Sequence, residues 1–286
     1  KKTLDFTISL LKSLFKCNFE NHVPIVYKKK KIGWINKNQK NLLYSLKYDG
    51  TVVRFKNLEN LVKDTHRLAK LTRKQLMKEM CPVFSSFSKN PELNFNENKI
   101  FGENQILSVP RNLMATFGFP SYGIHCNGWS KKRDTYILHM AIRSKEINEF
   151  SGLYDNLFAG GQPSNISIKN NLEKEALEEA GIKLNFKNLI KGSIVPYCHD
   201  FRRKIHSGII FNYHLEFKNM PKLTNLDGEV ERFVSVDVKN IYKLIELKKL
   251  KTNCIIPIAD FFLNRISDFF PEKAILELRK ILFTNI

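Results

Sequence analysis

The 286-residue chain has no Cys-x-x-Cys pair, no long apolar run and no internal repeat, and its acidic residues are few for its number of bases. Each lack excludes something. The five cysteines, Cys17, Cys81, Cys126, Cys198 and Cys254, form an odd, dispersed set. That pattern is expected of reduced, mostly buried thiols in a cytosolic protein, not of a disulfide-stapled secreted domain. A zinc site is not expected, although Cys198 and His199 stand together as a possible pair of ligands. No stretch approaches the roughly 18 apolar residues of a membrane span. Residues Lys1–Lys16 start basic and apolar as a leader would, but Asp5, Lys12 and Lys16 interrupt the run and no small-residue cleavage site follows. Leu4, Ile8, Leu11 and Leu14 instead recur at helical spacing and predict an amphipathic first helix. The shortage of acids, 28 against 47 Lys and Arg, leaves a net charge of +19. Such a surface suits a polyanion: nucleic acid, anionic lipid or a phosphorylated small molecule.

Apolar residues are plentiful. A hydrophobic fraction of 43% with 22 Phe and 9 Tyr is enough for a packed core and excludes global disorder. At roughly 100–200 residues per domain, the length predicts one large domain or two modest ones. Between 24 and 55 the segments VPIVY, KIGWI, LLYSL and TVVRF read as short strands joined by turns at Asn36–Asn38 and Asp49–Gly50. Residues 57–80 read as helical, with Leu58, Leu61, Val62, Leu68, Leu71 and Leu76 in near-helical rhythm. Ser85–Asn104 is polar and Asn-rich, a surface loop or the joint between two units. Ile124–Trp129, Thr135–Arg143 and Ile209–Phe217 then read as strands of one sheet, with a charged helix between the second and third. The Lys28–Lys31 run reads as a solvated hairpin or edge strand, since no aromatic platform for a nucleic acid accompanies it.

The chemistry is concentrated in Gly160–Ile182. Ser167 is placed to cap a helix from about Ile168 to Ala180, and Gly181 to end it. Within that helix Glu175, Glu178 and Glu179 stand at i, i+3 and i+4, which puts three carboxylates on one face. Like charges so crowded repel unless lysines, solvent or a divalent cation offsets them, and Mg²⁺ and Mn²⁺ take such oxygen ligands.

The stretch resembles the Nudix box, Gly-x5-Glu-x7-Arg-Glu-(apolar)-x-Glu-Glu-x-Gly-(apolar). Gly160 matches its opening and Lys174–Ile182 its end. Ile166 stands where the first Glu belongs and Lys174 replaces Arg, so the supporting ion pair is lost while the three metal-facing glutamates remain. Four further words, Gly123–Trp129, Asp155–Pro163, Asp227–Phe233 and Asn253–Phe262, are similar to the thiamine-pyrophosphokinase-related branch of Nudix hydrolases. The correspondence runs from Phe117 to about Phe262, and His214 departs from it where the branch tends to have Asp.

The resemblance implies an α+β protein: a smaller α+β N-terminal domain over 1–110 and a Nudix α/β/α sandwich over 111–286. It implies hydrolysis of a small-molecule diphosphate with Mg²⁺ or Mn²⁺, held by Glu175, Glu178 and Glu179. A further carboxylate would come from Glu229 or Glu231, of which Glu229 fits the branch word better. Gly160 and Gly161 would let phosphates approach the backbone, with Gln162 beside them. Arg202 and Arg203 are candidates to clamp a diphosphate, although such clusters are more often solvated loops. His125, Asn127, Asp155 and Asn156 are candidate contacts for the organic group, whereas Trp129 suits core packing at least as well. His139 reads as structural. The branch points to thiamine diphosphate or its oxidised analogues, cleaved to monophosphate and phosphate. The alternatives are a nucleoside diphosphate derivative, or a silent basic module that binds nucleic acid; against the latter stand the intact glutamates and the lack of a stacking or helix-turn-helix signature. No membrane partner is expected, and the sequence leaves monomer and homodimer equally open.

Overall fold

Leu4, Ile8, Leu11 and Leu14 all become buried on one side of the first helix, α1 (Lys2–Leu14), as their spacing predicts. The computed structural model describes residues 2–46, 48–57, 59, 60, 63, 67, 77–84, 96–101, 105–147, 149–201 and 203–284. A hairpin of β1 (His22–Tyr27) and β2 (Lys30–Asn36) follows α1. Its two-residue turn places Lys28 and Lys29 at φ 45° and 66°, the left-handed geometry that suits the twist of a tight hairpin. The lysine run is thus the hairpin turn expected of it.

The LLYSL segment is corrected. It forms no strand but the short helix α2 (Lys40–Ser45), because Leu42, Leu43 and Leu46 share a helical face and bury together while Tyr44 stays exposed. The next strand, β3 (Val53–Phe55), pairs parallel with β1. The helix expected over 57–80, with Leu58, Leu61, Val62, Leu68, Leu71 and Leu76, lies largely outside the described residues. A two-stranded ladder of β4 (Met80–Val83) and β5 (Leu107–Pro110) leads into a 3₁₀ turn over Arg111–Thr116. Most of the Asn-rich stretch also lies outside the described residues, but its described part docks on the sheet's helix: Phe101 N donates to Ile166 O and Lys169 N to Glu97 O, both at 3.0 Å.

The main sheet has seven strands. Its path runs β10 (Leu189–Phe201), β11 (Lys204–Glu216), β6 (Ser121–Lys132), β7 (Thr135–Arg143) and β12 (Val230–Asp237). The short β8 (Tyr154–Asp155) pairs with β7, and β9 (Phe158–Gly161) with β6. One face is covered by α3 (Ile168–Ala180). The other is covered by α1 with α4 (Ile241–Glu246), α5 (Ile255–Asn264) and α6 (Glu272–Thr284). Three apolar cores result, one on each face of the sheet and one in the β1–β5 region. The chain is therefore α+β, an α/β/α sandwich with a smaller α+β region before it. α1 also packs against the far face of the sandwich.

α3 has the bounds the sequence predicts. Ser167 Oγ accepts from Asn170 N at 3.0 Å, and Gly181 ends the helix at φ 68°. No described helix is long and apolar enough to cross a membrane.

The expectation of five reduced thiols is corrected at two of them. Cys17 and Cys198 form a disulfide that ties the segment after α1 to β10, 181 residues away in sequence; Cys81, Cys126 and Cys254 remain free and buried. This also removes Cys198 as a zinc ligand. Closing so long a loop restricts the unfolded chain, so Cys17→Ser should cost about 2–5 kcal/mol. Thermal melts of wild type with and without reductant, beside Cys17→Ser, check this; a melt insensitive to both would show that the bond contributes nothing.

Candidate active site

Of Glu175, Glu178 and Glu179 on α3, two point inward. Glu175 and Glu179 are each about 95% buried, with 5% exposure, and aim at neighbouring residues of β9. Glu179 Oε2 accepts from Ala159 N at 2.8 Å. The Glu175 carboxylate lies against Gly160, where a Cβ would stand 2.2 Å from Glu175 Cδ, so only glycine can occupy that position with Glu175 in place. Glu178 is half-exposed. Lys174 Nζ reaches both Glu175 Oε1, at 2.8 Å, and Glu178 Oε2, at 3.4 Å. Burial raises the Glu175 carboxyl above its usual range, against the pull of Lys174 and Arg111. Glu179 is held well above that range, first by burial and then by Asp155 and Glu175.

Two charged residues that sequence reasoning missed stand beside these glutamates. Arg111 opens the 3₁₀ turn, and its Nη1 donates to Glu79 Oε2 at 2.9 Å. Its guanidinium covers Gly161, where a Cβ would stand 2.9 Å from Arg111 Cζ. The protein atoms crowded around it work against its charge, yet Glu79 holds its protonation above the ordinary arginine range, and Glu175 adds to this. Lys174 likewise feels Glu79 besides Glu175 and Glu178. The pairing joins residues 32 apart across segments of unrelated pattern, and no spacing signal marks it.

Gln162 is fully buried. Its Nε2 donates to Pro163 O at 3.2 Å and Ile166 O at 3.0 Å, so it braces the loop between β9 and α3. Ile166, at the place of the missing box acid, takes part through its backbone oxygen alone.

A second group of polar residues lies inside the sheet. Asp155 accepts from Lys251 Nζ at 2.7 Å, Arg143 Nη1 at 3.0 Å and Cys254 Sγ at 2.7 Å. Burial opposes its ionisation, but Lys251 and Arg143 hold its carboxyl well below the usual carboxylate range. From there the chain of contacts continues inward. Asn156 Oδ1 meets His125 Nδ1 and Asn156 Nδ2 donates to Asn127 Oδ1, both at 2.8 Å. Burial, with Lys251 nearby, lowers the His125 pKa to about 4. Asn127 Nδ2 donates to Pro257 O at 2.7 Å and lies 3.3 Å from His214 Nδ1, and His214 Nε2 meets Asp260 Oδ2 at 2.8 Å. His125, Asp155 and Cys254 offer atoms within 4.8 Å of one another, as metal ligands would. Two cations already neutralise the aspartate there, and a third would be repelled.

The sequence-predicted residues thus separate. Glu175, Glu178, Glu179, Gly160 and Gly161 come together. Glu229 is exposed, with Oε2 3.9 Å from Arg143 Nη2, which links it through Arg143 to Asp155; Glu231 is exposed at the register shift of β12. Asn127 is buried, with its Nδ2 and Oδ1 both hydrogen-bonded within the protein. Trp129 is core, packed on Phe261. His139 bridges Ser130 and Ser235. Arg202 lies outside the described residues. Arg203 occupies the β10–β11 hairpin turn at φ 62°. That turn is seven residues along β11 from Ile210, which pairs through Gly123 to Gly161, or about 23 Å at the usual strand rise.

Fold and site together define an α/β/α sandwich that presents helix-borne glutamates to a Gly-Gly strand. Sequence comparison specifies the kinship. The chain is 34% identical over 158 residues to Nudix hydrolase 20, chloroplastic, of Arabidopsis thaliana, covering 54% of this chain and 42% of that protein. It is 32% identical over 163 residues to Nudix hydrolase 24, chloroplastic, of the same plant, covering 56% and 45%. The chain is thus similar to these Nudix hydrolases over about half its length, and the match spans less than half the length of each. No family model matches it. Among solved structures, the NUDIX domain of Shewanella oneidensis NrtR complexed with ADP ribose is similar at a TM-score of 0.38 and 10% identity, covering 49% of this chain and 84% of that one.

Proposed function

We propose that the chain is a metal-dependent diphosphate hydrolase of the Nudix type, acting on thiamine diphosphate or an oxidised analogue to give the monophosphate and phosphate. One observation carries the reaction class: Glu175 and Glu179 are buried side by side against Gly160 and Ala159. Nothing in a purely structural helix calls for acids there. The donors fit a divalent cation, since all are carboxylates and two are buried at a raised proton affinity that a cation would relieve. Glu175, Glu178 and Glu179 would hold it, with Glu229 as a further acid on the Arg143 side. Once bound, it would neutralise phosphate oxygens and make a water more acidic. The chain's own groups do the rest. Gly160 and Gly161 leave room against the strand for the Glu175 carboxylate and the Arg111 guanidinium, and Lys174 steadies Glu175 and Glu178. The basic surface draws a small polyanion toward the acids. The choice of thiamine diphosphate rests on the four sequence words shared with that branch.

The test is product analysis by chromatography with thiamine diphosphate, its oxidised analogue, ADP-ribose and a dinucleoside polyphosphate, with Mg²⁺, Mn²⁺ or chelator. Metal-dependent cleavage of the thiamine compounds is expected. Faster cleavage of the nucleotides would replace the substrate and keep the reaction. No metal-dependent cleavage of any, with tight and salt-steep nucleic-acid binding, would replace both.

A further inference from the structure

We propose that Arg111 is the cation that grips the diphosphate and that Glu79 aims it, so that the region before the sandwich supplies one wall of the site. This deepens the hydrolase reading and rests on it. The pair is fixed twice, since Arg111 N also donates to Glu79 O at 3.0 Å, beside the side-chain bond. Its position is specific as well. The guanidinium lies over Gly161, next to the Gly160 that receives Glu175, so a phosphate brought to the glutamates meets it at once. The arginine side chain keeps 42% of its surface exposed, with only its Nη1 engaged by Glu79 in the contacts described. Its planar fork matches phosphate oxygens.

Competing cations are poorly placed. Lys174 is held by Glu175 and Glu178 of its own helix, Arg143 and Lys251 are bound to the buried Asp155, and Arg203 turns the distant hairpin. Glu79 has a second effect. The acid missing at Ile166 leaves Lys174 without its box partner, and Glu79 restores a carboxylate to its neighbourhood from outside the box.

Binding of methylenediphosphonate, a non-hydrolysable diphosphate, is measured by calorimetry on the full chain with Mn²⁺ present; Mn²⁺ affinity alone is measured by electron paramagnetic resonance. In Arg111→Ala the diphosphonate affinity should fall about 10- to 100-fold, with Mn²⁺ affinity unchanged. Arg111→Lys should recover part of the loss, because a point charge lacks the fork. Glu79→Gln should give an intermediate loss. Wild-type affinity in Arg111→Ala overturns the proposal and leaves the hydrolase reading intact. Should that variant not fold, undiminished affinity in Arg111→Lys overturns it instead. A wild-type chain that binds neither Mn²⁺ nor diphosphonate overturns both.

Discussion

In Glu179→Gln, turnover of the diphosphate substrate should fall about 1,000-fold, while the metal-free protein melts no lower than wild type. The two halves of this expectation come from one contact. Glutamine keeps an oxygen in the place of Oε2, so it can still accept from Ala159 N, and the helix-to-strand contact survives. What disappears is the charge. In the metal-free protein that charge is a liability, since it is buried beside Glu175 and Asp155, and a buried charge without close compensation is costly. In the working enzyme the same charge is what would hold the cation, and removing one charged group from such a site typically costs a factor of hundreds to thousands.

Glu178 provides the contrast. It is half-exposed and shared with Lys174, so its replacement should weaken metal binding without touching the Ala159 contact. Steady-state kinetics and thermal melts, with and without Mn²⁺, read all of this. Added metal should stabilise wild type by mass action and Glu179→Gln far less. A Glu179→Gln protein with wild-type turnover, or one stabilised by Mn²⁺ as strongly as wild type, would sink the assignment of this carboxylate to the metal.

The parts of this site that could be read from sequence are those whose physics is local. Ser167, the three glutamates and Gly181 lie within one helix and its caps, and their spacing alone placed α3 and its acid face. The strand β7 was legible because a nearly continuous apolar stretch with β-branched and aromatic residues, Tyr136–Ile142, marks a covered sheet. The parts that escaped are contacts between distant segments. Glu79 and Arg111 meet across 32 residues, Asp155 and Lys251 across 96, and Cys17 and Cys198 across 181. Nothing in the spacing of either partner announces the other. LLYSL failed for a different reason. Leu42, Tyr44 and Leu46 alternate as a strand would, yet Leu43 also needed burial, and a helix buries three leucines where a strand would expose one. Arg203, in the β10–β11 turn, stands apart from the glutamates. A basic cluster after a strand is read from sequence as near whatever the strand approaches, and this strand runs about 23 Å past it.

Asp155→Asn should be the most destabilising single substitution considered for this chain, at about 3–5 kcal/mol. Asp155 is buried with two cations, Lys251 and Arg143, and those side chains are themselves only 12% and 13% exposed. Asparagine has nearly the same shape but no charge. The loss is therefore not one of packing: two buried cations are left facing a neutral amide, and breaking such a cluster by removing one partner costs more than the cluster contributes when intact. At roughly 2–4 °C per kcal/mol for chains of this size, the melting temperature should fall by about 10 °C. Acidity gives an independent check. Asp155 is held ionised well below the ordinary carboxylate range, so its contribution is present above an unfolded-state value of about 3.9 and is lost as pH falls toward the lower folded value. The gap between wild type and Asp155→Asn should then be widest near neutrality and narrow below about pH 4. A second substitution, Lys251→Met, should recover part of the loss in the Asp155→Asn background, because it removes one stranded charge. The consequence reaches the active site through the chain itself. Asn156 and Leu157 join Asp155 directly to β9, whose Ala159 and Gly160 receive the two glutamates, so kcat should fall with stability in the single variant and rise again in the double. Equal melting of wild type and Asp155→Asn from pH 4 to 8 would show that the two cations are compensated by something other than this carboxylate.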